Sequence, residues 1–325
     1  MTFFEAHGFL TILIESIKLL RKNGKLIAFI AILSIILSST SLFLFFYFFE
    51  SLMADTFVTS QQSFMPDPSS TLTLETSLNP AQIASHLRQD SALLISLEIS
   101  FCISFATIFF FSAISTIILS SVSYSGKNLS LKELLLKIRT TWVRSLITTF
   151  YASGTLTIGY FVFVITMLTP LLPTYPKPAI LFIMAILLAI IALIFYLYLF
   201  VAWGLAIVVS VVEETCYGIK ALRKATLLVE GKRLHGFLLI ICSNFVVFII
   251  LQGYKMLLGN KGFMNPKINL LFSVSVSILV EIFLVVAYTV LYFECKKHHG
   301  EEIELHGSLE YTKVPSHDKL ANDMP

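Results

Sequence analysis

Six apolar stretches, each long enough to cross a bilayer, dominate this chain: Leu26–Phe49, Ala92–Val122, Ser145–Leu171, Ala179–Val212, Phe237–Leu258 and Ile268–Phe293. A helix rises about 1.5 Å per residue, so about 20 apolar residues cover roughly 30 Å of hydrocarbon. In lipid each backbone N–H and C=O must be satisfied internally, and runs of this kind do so as helices. The expected fold class is therefore all-α, a polytopic bundle of six transmembrane helices. Charged residues make up 13% of the chain, about half the share in a soluble domain. The spans consume the length, leaving none for a separate soluble catalytic domain. The first stretch is too long for a signal-peptide core and lacks a small-residue cleavage site behind it, so it reads as a retained span.

Lys and Arg set the orientation. They gather before span one (Lys18, Arg21, Lys22, Lys25), between spans two and three (Lys127, Lys132, Lys137, Arg139, Arg144), between four and five (Lys220, Arg223, Lys224, Lys232, Arg233) and after span six. Eighteen fall on that side and five on the other. Basic loops stay in the cytosol, so both termini are expected there. The net charge of +3 is small, which argues against nucleic acid as a partner. No cysteine falls in an outer loop, so no lumenal disulfide is expected. The sequon at Asn128 lies on the cytosolic side and should go unused.

The chain divides into a single membrane domain, 1–295, and a polar tail, 296–325, expected to be disordered. The domain reads as three units, about 1–122, 123–212 and 213–295, each a cytosolic amphipathic segment followed by a membrane hairpin. In the first, Phe9, Ile12, Leu13, Ile17 and Leu20 mix with Glu15 and Lys18. The second opens on Ser130 with Glu133 three residues on, the pattern of a capping box. The third places Ile219, Leu222, Thr226 and Val229 at helical spacing, with Gly231 as its stop. Such helices lie at the lipid–water interface, and Lys220, Arg223, Lys224, Lys232 and Arg233 are the expected contacts to anionic headgroups. The longest outer loop runs from Glu50 to Ser91, and Asn79-Pro80 is placed to cap a helix entering span two.

Glu281 stands near the middle of span six, where a carboxylate costs several kcal/mol unless protonated or paired. It reads either as a proton or cation site, or as a neutral acid hydrogen-bonded to a neighbouring helix. Glu98 and Lys255 sit at similar depth and could pair, although Lys255 could equally snorkel to the surface. Asn244 and Gln252 are expected to hydrogen-bond between helices. Ser112, Thr116 and Ser120 form a small-residue packing stripe. Cys216 and Cys295 are placed for palmitoylation. Tyr311 and Val314 fit a tyrosine-based sorting pattern that a cytosolic adaptor could read, and Glu15 with Leu19-Leu20 fits an acidic dileucine. The sequence carries no Gly-rich phosphate loop, His-Glu-x-x-His or Gly-x-Ser-x-Gly, so neither catalysis nor a cofactor or metal is expected.

Ala202-Trp203-Gly204-Leu205, Val211-Val212-Glu213-Glu214, Tyr217 through Leu222, Glu230-Gly231-Lys232 and Tyr292 through Lys297 together resemble a family of uncharacterised plant membrane proteins with six spans. More distantly, Glu214, Ala221-Leu222 and Gly231-Lys232 are similar to the membrane domain of bacterial glycerophosphodiester phosphodiesterases. Their catalytic domain is absent here, so the resemblance implies no phosphodiesterase activity and transfers no catalytic residue. The expected function is that of a non-enzymatic membrane organiser or trafficking factor in the plasma membrane or an endomembrane. The alternative is a small-solute or proton-coupled transporter or channel centred on Glu281.

Overall fold

The computed structural model describes residues 3–64, 80–127, 129–168, 178–258 and 266–300. These form eight helices and no strand: α1 (Phe3–Lys22), α2 (Gly24–Phe64), α3 (Pro80–Tyr124), α4 (Leu131–Leu168), α5 (Pro178–Val212), α6 (Ile219–Leu228), α7 (Arg233–Leu258) and α8 (Pro266–His298). Six of them, all but α1 and α6, are long and apolar enough to cross a membrane. The chain is thus an all-α, multi-pass integral membrane protein.

Helix boundaries depart from the expected ones at both ends of the bundle. The 41 residues of α2 extend for about 60 Å, well past the hydrocarbon. The amphipathic segment expected before span three is no separate helix, because α4 runs unbroken through both. It contains no proline to interrupt it, and its start is the expected reciprocal cap. The Ser130 N–H donates to Glu133 Oε2 at 3.0 Å, and the Glu133 N–H to Ser130 Oγ at 3.3 Å. At the other loop, α3 starts at Pro80 and continues into the span.

The spans pair in sequence order, α2 with α3, α4 with α5 and α7 with α8. The core is not spread evenly along them. About two thirds of its buried hydrophobic members fall in Ile114–Val122 of α3, Val201–Val211 of α5, Ala221–Val229 on and after α6, and Val286–Cys295 of α8. All these lie toward the end where the basic connections gather, hereafter the basic end. There Tyr124 and Phe293 stack with ring centroids 4.4 Å apart. Gly204 lets α5 approach the Tyr288 ring, and at Gly236 an added Cβ would stand 2.5 Å from Val201 Cγ1. The Ser112–Thr116–Ser120 stripe is buried in the same region, as a packing surface. Toward the opposite end Phe43, Ile103, Ile158, Ile165, Ile191 and Phe248 are exposed to lipid.

Helix α8 organises this core. It packs against α1, α2, α3, α5, α6 and α7. Helices α1 and α6 lie against the basic end. Helix α1 buries Ile12, Ser16 and Leu19, which removes Leu19 of the acidic dileucine pattern from the surface.

Candidate functional site

The densest polar cluster among the described residues joins α6 to the ends of α5 and α8. Glu213 follows α5 and is approached from three sides. Lys224 Nζ of α6 is 2.9 Å from its Oε2, and the Tyr292 hydroxyl of α8 donates to its Oε1 at 2.7 Å. Lys296 Nζ stands 3.8 Å from the same Oε1. Burial pushes the Glu213 carboxyl up, but the hydrogen bonds from Lys224 and Tyr292 and the charges of Lys224 and Lys296 outweigh it, holding the carboxyl below the usual carboxylate range. Cys216 lies beside it. Burial raises that thiol, and the Glu213 charge and hydrogen bond raise it further.

Around this centre the loops are tied down. The Gly218 N–H donates to Thr148 Oγ1 at 2.8 Å, and Arg144 Nη1 donates to the Glu214 carbonyl at 2.8 Å. Gly218 has φ +63° and stands at the N-terminus of α6, a conformation that favours glycine. Gly231, at φ +92°, turns the chain after α6, as expected of a stop signal. Lys232 Nζ reaches Glu294 Oε2 at 3.3 Å, and Arg233 pairs with Glu230 at 3.2 Å while lying 5.2 Å from the Tyr198 ring centroid.

The five cations expected to meet lipid headgroups therefore divide. Lys224, Lys232 and Arg233 bind carboxylates of the protein itself. Lys220 and Arg223 are exposed on α6 with no protein partner for their charges among the described residues. The buried face of α6 also differs from the expected one. Ala221, Ala225 and Leu228 point inward, while Ile219 is 61% exposed. Two alanines allow a closer approach of helix axes than branched side chains would, so small size decides the face ahead of hydropathy.

The remaining candidates are dispersed. Glu281 is half-buried on α8 and makes no hydrogen bond or ion pair among the described residues; Ser277, on its face, donates instead to the Ser273 carbonyl of its own helix. Glu98 and Lys255 are both exposed and form no ion pair, because α8 rather than α7 is the neighbour of α3. Asn244 does not bridge helices: its Nδ2 donates to the Ile240 carbonyl one turn back at 2.9 Å. Gln252 is exposed and likewise bridges nothing. Cys295 is fully buried on α8, and Cys216 is half-buried. Tyr311 and Val314 lie outside the described residues.

Besides the contacts around Glu213 and Glu294, a pair at the far end escaped the sequence reading. Lys267 Nζ of α8 lies 2.7 Å from Glu50 Oε1 of α2 at the end opposite the basic one. The two are 217 positions apart, and only the placement of α8 beside α2 makes them neighbours.

No curated protein and no solved structure matches the chain. The family described as a domain of unknown function, DUF8558, matches residues 3–313, so the chain belongs to that family.

Proposed function

We propose that this protein is a non-enzymatic membrane organiser or trafficking factor whose basic end faces the cytosol. Helices α1 and α6 and the start of α4 form an interfacial collar there that gathers anionic lipids, and the tail recruits cytosolic adaptors. The observation that carries this reading is the division of the α6 cations. Lys224 on the helix and Lys232 just after it are consumed in pairs with Glu213 and Glu294 that tie this segment to the bundle, Arg233 pairs locally with Glu230, and Lys220 and Arg223 stay exposed on α6. Exposed cations at headgroup depth attract acidic lipids by about 1 kcal/mol each. The plant lineage, and the kinship to the membrane domain of bacterial glycerophosphodiester phosphodiesterases, belong to the same reading. The Glu214, Ala221-Leu222 and Gly231-Lys232 motif that carries this kinship surrounds the α6 junction.

The test is lipid retention in nanodiscs of phosphatidylserine and phosphatidylcholine. Wild type should enrich phosphatidylserine in its annulus. Lys220→Gln with Arg223→Gln should lower that enrichment up to roughly 30-fold, from about 2 kcal/mol for two charges. Equal retention of both lipids by wild type would sink the collar.

A second reading, transport, rests on Glu281, a half-buried midspan acid without a bonding partner among the described residues. Its test is proton flux and solute uptake in proteoliposomes under a pH gradient. Flux abolished by Glu281→Gln in a folded protein would favour transport over the organiser.

A further inference from the structure

A groove of about 490 Å³ lies between α2 and α8, away from the basic end. Its size falls in the range of about 300–1,000 Å³ typical of small-molecule sites. Leu42, Phe43, Phe46, Ile268 and Leu271 wall it, with Lys267 at its polar rim. Thr40 also lines it, but the Thr40 hydroxyl donates to the Ile36 carbonyl of its own helix at 2.8 Å, so it asks nothing of an occupant. These walls suit hydrocarbon.

The rim is different. Lys267 pairs with Glu50 at 2.7 Å, and Nζ stands 6.0 Å from the centroid of Phe46, a groove wall. Both side chains are reachable from outside, 39% exposed for Lys267 and 60% for Glu50. They sit near the ends of the spans Gly24–Ala54 and Lys267–His298, at the depth where lipid headgroups begin. An ammonium beside a carboxylate offers opposite charges a few ångströms apart and no net charge. An acidic headgroup alone meets repulsion from Glu50. A headgroup carrying both a phosphate and an ammonium satisfies both sides at once.

We propose that the α2–α8 groove is a binding site for a zwitterionic glycerophospholipid. One acyl chain lies along Leu42, Phe43, Phe46 and Leu271, the phosphate rests on Lys267, and the headgroup ammonium rests on Glu50. This site is separate from the α6 collar and holds whichever way the protein is oriented.

The full chain, placed in nanodiscs of equal phosphatidylcholine and phosphatidylglycerol, is extracted into detergent and its retained lipids are counted by native mass spectrometry. The groove's share is the lipid lost on Leu271→Trp, which fills the wall, with Ile268→Trp as a second plug should the first unfold on a melting curve. That share should be at least threefold richer in phosphatidylcholine. Glu50→Gln should move it at least threefold toward phosphatidylglycerol, while Lys220→Gln with Arg223→Gln leaves it unchanged. No lipid lost on plugging, a groove share indifferent to headgroup or richer in phosphatidylglycerol, or a phosphatidylcholine preference untouched by Glu50→Gln would each overturn the site.

Discussion

Glu213 concentrates the electrostatics of the basic end in one carboxylate. Lys224 and Tyr292 hydrogen-bond to it and Lys296 stands close by, so helices α6 and α8 meet through it. Hydrogen bonds to a charged group contribute about 1.5–3 kcal/mol, and Glu213→Gln should cost about 2 kcal/mol, read as a lower unfolding temperature in detergent. The folded carboxyl lies below its ordinary 4.5. Its contribution is therefore fully present above that value and is lost as pH falls through the lower folded one. Wild type should lose stability on acidification across that window, and Glu213→Gln should show a flatter acid limb. Equal slopes in the two proteins would remove Glu213 from this role. Cys295, a residue along from Glu294, lies in the last turns of α8 at the basic end, and the core walls it in.

At the scale of elements, helix existence and type were legible in the sequence, since runs of this length and hydropathy have one solution in lipid. The Ser130–Glu133 cap and the Gly231 turn were legible too, because both act through bonds or dihedrals local to the chain. What depends on neighbours was not. The face of α6 was read from Ile219, Leu222, Thr226 and Val229; Val229 is buried as expected, but within the helix Ala221, Ala225 and Leu228 are the buried residues and Ile219 is exposed, a choice made by how close α5 and α8 come. The Glu50–Lys267 pair and the junction at Glu213 likewise need the tertiary arrangement, whereas their members were visible only as single charges. If alanine size sets the α6 face, Ala225→Leu should overpack it at about 1–3 kcal/mol. Hydrogen exchange of the 219–228 amides should then speed up before that of α8. Unchanged protection would mean that α6 accommodates bulk and is held by its charges alone.

For the whole molecule, orientation is the property with the widest reach, because the proposed collar and the proposed recruitment by the tail both require the basic end to face the cytosol. Ser125 is exposed on the connection between α3 and α4, and Ser51 near the opposite end. With native cysteines replaced, Ser51→Cys in the plasma membrane of intact cells should react with an impermeant maleimide. Ser125→Cys should react only after permeabilisation. The reverse pattern would invert the protein and remove the collar from the cytosol.

The position of α8 within both core and chain bears on how the molecule is made. It is C-terminal to the other seven helices and touches six of them. The earlier spans can enter the bilayer one after another during synthesis and pack in part against one another, yet until α8 arrives the surfaces it joins on α1, α2, α3, α5, α6 and α7 stay uncovered. Insertion and folding are thus separated in time: the first is progressive, while the second waits for the final hairpin. A ribosome stalled between α7 and α8 would leave five spans inserted but open, with Ser112, Thr116 and Ser120 uncovered and the Glu213 carboxylate still paired with Lys224 but without Tyr292 and Lys296. That is the form a membrane quality-control protease would meet first.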